Sequence, residues 1–281
     1  MSTQGMPIAL ISNAGADEGL VNSANRLPVD DVGLSIASGG VPSHSVVHKF
    51  GHNEAVGTSY EPIAAGGIWR TLQPAGATTL RVKAGNTNDT NGGSGAWEVE
   101  LQGISATGAE ISETVTLAGT SASTATTQTF IRLIRFFVTK SGTYGTQSAG
   151  SHAAAIVIEN GAGGTDWATI PLSGLAHGQS QVALYTVPLG YTAYLQGIQI
   201  QMEGNKPVDF LFIKREDILD AAAPYAPMRV FMELTGMEVP AFIPLNTPIK
   251  FDELTDFGAM AKASTTAEAS VDMEIILVAN S

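Results

Sequence analysis

The stretch from Trp97 to Val138 decides the fold class, and it reads WEVELQGISATGAEISETVTLAGTSASTATTQTFIRLIRFFV. Large apolar residues alternate with polar ones in two runs, which are separated by a polar turn from Ser105 to Gly108. The apolar residues of the first run are Trp97, Val99 and Leu101, and those of the second are Ile111, Val115 and Leu117. Because a period of two residues is that of a half-buried strand, the two runs predict a β-hairpin.

The segment from Phe130 to Val138 follows a Ser/Thr-rich loop and is apolar on both faces except at Arg132 and Arg135. A strand with two apolar faces is typical of a position between two packed layers. We therefore expect this strand in the middle of a sandwich or beneath another chain.

The rest of the chain predicts many more short strands with turn residues between them. A second hairpin is expected between residues 181–187 and 191–202, and a bulge in it near Gly197, where the phase of the large side chains changes. Only Glu216 to Ala223 has a helical pattern, and Pro224 would end that helix. This pattern favours an all-β fold built from two jelly-roll-like β-sandwich domains.

We divide the chain into an extended arm at residues 1–42, a first sandwich at 43–145 and a second at 146–281. The stretch 141–150 is the most linker-like part of the interior, and the arm combines glycine and proline with no sustained period. Short apolar clusters in the arm are expected to dock as added strands on the sheet edge of a neighbour. The predicted interface residues are Ile8, Leu10, Ile11, Leu27 and Val29.

The composition indicates a protein that works by association. Charged residues make up 14% of the 281 residues, against roughly a quarter in ordinary soluble domains. Few ionic groups are available to cover a free surface, so much of the surface is expected to lie against other subunits. The alternative is a Ser/Thr/Gly-rich β protein of marine or secreted origin, which would have a similar composition.

Charge and cysteine content exclude several functions. The net charge of −12 argues against nucleic acid as a partner, because affinity for the phosphate backbone comes mostly from lysine and arginine. The chain has no cysteine, so disulfides, thiol nucleophiles and cysteine zinc sites are excluded. The sequence lacks an apolar run of membrane length, and Met6 to Ser12 is too short and lacks the basic flank of a secretory signal. We expect no membrane partner and assembly in the cytoplasm of the producing cell.

Two patterns in the sequence have the spacing of a metal site. The histidines His44, His48 and His52 recur every four residues, but without neighbouring carboxylates a packing role is favoured over a metal site. A calcium-loop spacing also occurs, at Asp89, Asn91 and Glu100. It lacks the required glycine at its sixth position, so a hairpin loop is favoured.

A glycan hydrolase would need two carboxylates set apart beside aromatic platforms, and the tryptophans Trp69, Trp97 and Trp167 are scattered along the chain. The compact charge cluster Lys214 to Asp217 is expected to be solvated, although it would also suit a salt bridge to a neighbour. We predict no catalytic residue, no metal site and no cofactor.

Several of these segments together resemble a group of virion structural proteins of tailed phages, many of them marine. The resemblance covers about two thirds of the chain. Its segments are Ser43 to Gly51, Glu100 to Gly103, Glu113 to Leu117, Phe130 to Arg132, Ala183 to Pro188 and Thr192 to Leu195. Members of the group are head decoration, tail or fibre components.

The resemblance implies a non-enzymatic virion protein, with a decoration or cement role favoured. Its partners would be the phage major capsid protein and further copies of itself, in a homotrimer. The alternative is a tail or fibre component that contacts host glycans through Trp and Tyr side chains. A third reading, the major capsid protein itself, is disfavoured because no amphipathic run is long enough for a spine helix.

Overall fold

The computed structural model describes residues 32–70, 76–142, 150–172 and 177–280. The chain divides after His44 into two units, which are described separately. The described part of the first unit contains one short helix, α1 (Val32–Ala37). The predicted extended arm is therefore wrong over these six residues, and all five predicted interface residues lie outside the described ranges.

The second unit is built from β-strands. The strands are β1 (His44–Val56), β2 (Glu61–Pro62), β3 (Arg81–Ala84), β4 (Ala96–Ser105), β5 (Glu110–Thr116), β6 (Phe130–Ser141), β7 (Ile156–Glu159), β8 (Asp166–Ile170), β9 (Leu184–Thr186), β10 (Tyr191–Met202), β11 (Val208–Arg215), β12 (Arg229–Met237), β13 (Ala241–Phe251), β14 (Asp256–Ala263) and β15 (Ala267–Ala279). A 3-10 turn spans Ala65–Gly67. The all-β prediction is confirmed.

The strands form four sheets that pack as two sandwiches. The larger sandwich packs a sheet of order β1-β15-β10-β13 against a sheet of order β12-β11-β14-β2. The short strand β9 also pairs with β14 in the second sheet. The two sheets share one apolar cluster, with Leu195 and Ile275 from the first and Phe210 and Phe257 from the second. The smaller sandwich joins β3-β7-β8 to β5-β4-β6 around a cluster that includes Leu101 and Trp167.

The hairpin predicted from residues 97 to 117 is present. Strands β4 and β5 pair antiparallel with Val99 opposite Val115, and β4 pairs on its other side with β6. Burial in β4 follows the alternation of the sequence, because Val99 and Leu101 are fully buried while Glu98 and Glu100 are only half-buried. The local period of two was therefore sufficient to define both strands and the turn.

Strand β6 lies between the two apolar clusters. Ile131 and Ile134 pack in the cluster of the larger sandwich, whereas Phe130, Leu133 and Phe136 pack in the cluster of the smaller one. This placement confirms that the strand is covered on both faces within the chain. The same strand therefore holds the two sandwiches together.

The boundaries of the two sandwiches differ from those that we predicted. The smaller sandwich uses β3 to β8, and the larger one uses β1 and β2 before it and β9 to β15 after it in sequence. The smaller sandwich is thus inserted into the larger one, and the division near residue 145 falls between two of its strands. Linker-like composition is a local property, whereas the pairing of strands is decided by side chains that are distant in sequence.

Two local predictions in the larger sandwich are wrong and one is confirmed. Strand β9 pairs with β14, whereas β10 pairs with β13 and β15, so the hairpin expected across Pro188 does not form. Residues 216–223 contain a turn at 218–219 and bends at 222–223 instead of a helix, because Asp217 has a left-handed φ of 53° that a helix does not allow. The bulge near Gly197 is present as a register shift between Leu195 and Gly197.

Candidate functional site

Four exposed apolar side chains lie on β12, on β13, in the turn between them and at the residue before β12. Met228 is 48% exposed, Val230 52%, Val239 65% and Phe242 58%. These four are among nine large hydrophobic residues that are exposed in the described parts of the chain. We call this set, Met228, Val230, Val239 and Phe242, the apolar rim. Met228 and Val230 lie at the start of β12, and Val239 and Phe242 lie beyond its end, so the rim follows the length of this strand. Exposed large apolar side chains in such a row are candidates for a contact surface.

The core beneath the apolar rim is incompletely covered. Side chains of β12 and β13 pack on the larger apolar cluster but remain half-exposed. Phe231 shows this well, because its ring contacts Phe251 at 5.3 Å and Phe212 at 6.2 Å between centroids while remaining only half-buried. Burying the remaining area against a partner would stabilise the complex at roughly 25 cal/mol per Å².

Both strands are also sheet edges. In the described residues β12 pairs only with β11, and β13 pairs only with β10. Strand β13 carries Pro244 and Pro248, which lack the N–H needed for strand addition. Strand β12 has no proline. The edge of β12 is therefore the one that can accept an added strand.

The histidines of β1 do not form a metal centre with other residues. His52 Nδ1 lies 2.8 Å from Ser270 Oγ, and His44 Nδ1 lies 2.8 Å from the Pro42 carbonyl oxygen. Over the ranges that the structure describes, no three His, Asp or Glu side chains are placed to hold an ion. His48 is exposed on the outer face of the sheet.

The neighbouring Lys49 points to the other side of β1. Its side chain is buried, and Lys49 Nζ donates a hydrogen bond to the Ile134 carbonyl oxygen on β6. Burial, and to a smaller extent the positive charge of Arg135, lower the pKa of Lys49 from its usual value to about 7. Sequence reasoning did not single out this lysine, because its acceptor, the Ile134 carbonyl, is 85 positions away in sequence.

The calcium-loop spacing has a structural explanation. Asp89 is fully buried, and its carboxylate accepts backbone N–H bonds from Ala96 at 2.8 Å, Ala153 at 2.8 Å and Ala154 at 3.0 Å. A side chain at Gly95 would place its Cβ 2.1 Å from Asp89 Oδ1, which explains the glycine there. The carboxylate therefore connects the start of β4 to the segment before β7.

Replacing Asp89 with asparagine is expected to lower the free energy of unfolding by about 2 kcal/mol, because one backbone N–H loses a charged acceptor. Urea denaturation followed by circular dichroism measures this change. The exposed Asn91, replaced by alanine, is the control and is expected to cost less than about 0.5 kcal/mol. A calcium site would instead make the unfolding midpoint of the unmodified protein rise on adding Ca²⁺ and fall with chelator.

A buried serine–histidine contact was not predicted. Ser151 Oγ lies 2.8 Å from His152 Nδ1, and His152 Nε2 lies 3.2 Å from the Pro171 carbonyl oxygen. Desolvation lowers the pKa of His152, so the ring is neutral at pH 7. A Cβ at Gly178 would lie 2.7 Å from Ser151 Oγ, which shows how closely the backbone approaches the hydroxyl. The contact satisfies buried polar groups, and no sequence motif marks it.

The charge cluster at Lys214 to Asp217 pairs within the chain. Lys214 Nζ lies 2.9 Å from Glu216 Oε1, and Arg229 also pairs with Glu216. Hydrogen bonding from Lys214 lowers the pKa of Glu216. All three side chains are at least 30% exposed, so these ion pairs contribute little to stability. This agrees with the solvated cluster that we predicted.

No helix of the described residues has both the length and the apolar character needed to span a bilayer.

No family model matches the sequence, and no curated protein matches it. Solved structures with some likeness include two from infectious bursal disease virus. The structure of its Gx strain covers 84% of this chain and 71% of its own, with 8% identity and a TM-score of 0.23. The match to the crystal structure of its VP2 subviral particle covers 85% of this chain and 77% of the VP2 chain, with 8% identity and a TM-score of 0.19. Scores this low establish neither a shared fold nor a shared function.

Proposed function

We propose that this chain is a non-enzymatic structural protein of a phage virion, and that it acts as a decoration or cement protein on the capsid. The observation that carries the proposal is the apolar rim on two sheet edges above a core that is only partly covered. The low charge content supports it, because an assembly protein has most of its surface against neighbours. The resemblance of the sequence to tailed-phage virion proteins supports the phage context.

A cement protein stabilises a shell by linkage. Each bound copy adds contacts across the seam between capsid subunits, and the free energy of those contacts must be overcome before the subunits separate. The partners would be the phage major capsid protein and further copies of this chain, and a homotrimer would match the local three-fold positions of a capsid lattice. The protein would be located in the virion.

The N-terminal arm is proposed as part of this attachment. Ile8, Leu10, Ile11, Leu27 and Val29 are the apolar residues that would contact a neighbour. Addition of the segment around Ile8 to a free strand edge such as β12 would satisfy backbone groups and bury the alternate side chains. A chain that lacks residues 1–40 should then occupy particles less fully while the sandwiches remain folded.

Copy number tests the proposal and separates it from the alternative. A cement protein is present in hundreds of copies per particle, whereas a tail or fibre component is present in a few to tens, on the order of its symmetry. Gel densitometry of purified virions, scaled to the major capsid protein, measures this ratio. If only one to a few copies were found per hundred capsid subunits, this low ratio would contradict the cement role and favour a tail or fibre component.

The apolar rim gives a sharper test. Replacing Val230 and Val239 together with serine is expected to reduce binding to particles at least tenfold, because burial of each valine contributes about 1.5 kcal/mol or more. Co-sedimentation with particles that lack the protein measures the affinity. Leu189, which is 46% exposed on a different loop, is the control, and its serine variant should bind normally. Unchanged binding of the double variant would contradict the assignment of the rim.

A further inference from the structure

A pocket of about 230 Å³ opens on the outer face of the β1-β15-β10-β13 sheet. This volume is far larger than the roughly 10–15 Å³ that one water needs. The bulge at Gly197 forms its floor, because the register of β10 shifts there and the glycine contributes no side chain. The other residues that line it are His48, Lys49, Phe50, Gln199, Phe242, Asp272, Met273 and Glu274.

The strand registers place these walls side by side. Gln199 lies opposite Phe242 of β13 on one side and opposite Asp272 of β15 on the other, while Gly197 lies opposite Glu274. Directly opposed residues on one face of a sheet are about 5 Å apart at Cβ. A Cβ at Gly197 would lie 3.2 Å from the Phe242 ring and 3.6 Å from Glu274 Oε2. The Phe242 ring and the Glu274 carboxylate are therefore both close to the space that a side chain at position 197 would occupy.

Neither carboxylate of the pocket, Asp272 or Glu274, forms a salt bridge in the described part of the chain. Desolvation raises the pKa of Asp272, and the electrostatic influence of His48 opposes this effect. Lys49 follows His48 on β1, but its ammonium group is buried on the other side of the sheet against Ile134. Lys250 on β13 pairs with Asp252 at 2.7 Å. The pocket is therefore negatively charged in a protein that is already strongly acidic.

We propose that this pocket binds a basic side chain, arginine before lysine, that is presented by a neighbouring protein subunit. Two carboxylates without a salt bridge can accept hydrogen bonds from a guanidinium group, and the aromatic residues Phe242 and Phe50 line the same pocket, which suits a planar cation. Phe242 also belongs to the apolar rim, so the pocket lies at the end of the proposed contact surface. The inference rests on the proposed function and names the chemistry of the partner at one position.

The test uses the full chain and two peptides, acetyl-Gly-Arg-Gly-amide and the same peptide with citrulline, the neutral isostere of arginine. Amide chemical shifts of ¹⁵N-labelled protein are followed during titration. The arginine peptide should shift the amides of Gly197, Gln199, Asp272 and Glu274 with saturation in the millimolar range. The citrulline peptide should bind at least tenfold more weakly, and increasing salt should weaken binding of the arginine peptide.

Two variants locate the site. The double replacement Asp272→Asn and Glu274→Gln keeps the shape of the pocket and should remove binding, and Gly197→Val should remove it by filling the floor. Valine is suited to a strand, and the exposed Phe242 ring can move to accept it. Glu268→Gln, on the same strand and the same exposed face, is the control. Circular dichroism confirms that each variant is folded.

Equal shifts with both peptides, shifts at other residues, or unchanged binding in the Asp272/Glu274 variant would each overturn the inference. Binding of a neutral oligosaccharide at the same amides without any response to the arginine peptide would overturn it too, and would indicate a glycan site. These results are independent of copy number in the virion. If the protein is present in hundreds of copies but does not bind the arginine peptide, only the pocket proposal is wrong. If it binds the arginine peptide but is absent from virions, only the proposed function is wrong.

Discussion

Replacing Arg132 with methionine is expected to lower the free energy of unfolding by about 3–5 kcal/mol. Arg132 on β6 is fully buried, and its guanidinium forms a forked pair with Asp256 on β14 at 2.9–3.1 Å. Thr186 Oγ1 on β9 donates to the same carboxylate at 2.7 Å. Without the guanidinium, the carboxylate of Asp256 would stay buried and would keep, of these two partners, only the hydroxyl of Thr186. The cost is large because the negative charge would then be buried without a positive charge beside it.

Three variants measured by urea denaturation define this effect. Arg135→Met on the same strand is the matched control, because Arg135 is exposed and should cost less than about 1 kcal/mol. The double variant Arg132→Met with Asp256→Leu removes both charges and should recover at least half of the loss, since a buried ion pair replaced by apolar groups is often nearly neutral. A loss below about 1 kcal/mol for Arg132→Met, or no recovery of stability in the double variant, would contradict this account of the ion pair.

The stability of the unmodified protein should rise by about 2 kcal/mol between pH 7 and pH 9 because of Lys49. The pKa of Lys49 is about 7 in the folded chain and near its usual value of 10.5 when unfolded. Between these values the unfolded chain holds a proton that the folded chain has released. Stability therefore increases with pH across this window, and the cost of burying the ammonium is fully present below pH 7.

Lys49→Met should remove this rise, leaving a change below about 0.5 kcal/mol over the same range. The measurement is the free energy of unfolding at pH 7, 8 and 9 in one buffer series. Lys83→Met, at an exposed position on β3, is the control and should keep the rise. If the Lys49 variant kept the same pH dependence as the unmodified protein, the titrating group would lie elsewhere.

The two arginines of β6 show how far a strand pattern can be interpreted. Their sequence context predicted a strand covered on both faces, and this is correct, because its residues pack in two clusters. The pattern could not distinguish buried Arg132 from exposed Arg135, which both interrupt an apolar run. The difference is decided by Asp256, which is 124 positions away in sequence and reaches only Arg132.

The sequence by itself determined the all-β class, the hairpin of β4 and β5, the double coverage of β6 and the bulge at Gly197, because each depends on periodicity or turn residues within a few positions. Only the tertiary structure decided that one sandwich is inserted into the other and that β9 pairs with β14. It also placed the apolar rim along the edges of both sheets of the larger sandwich and the acidic pocket on the outer face of one of them. The physical reason is that pairing and burial minimise the free energy of the whole chain, so that residues such as Asp272, Gln199 and Phe242 become neighbours through strand register and not through spacing in the sequence.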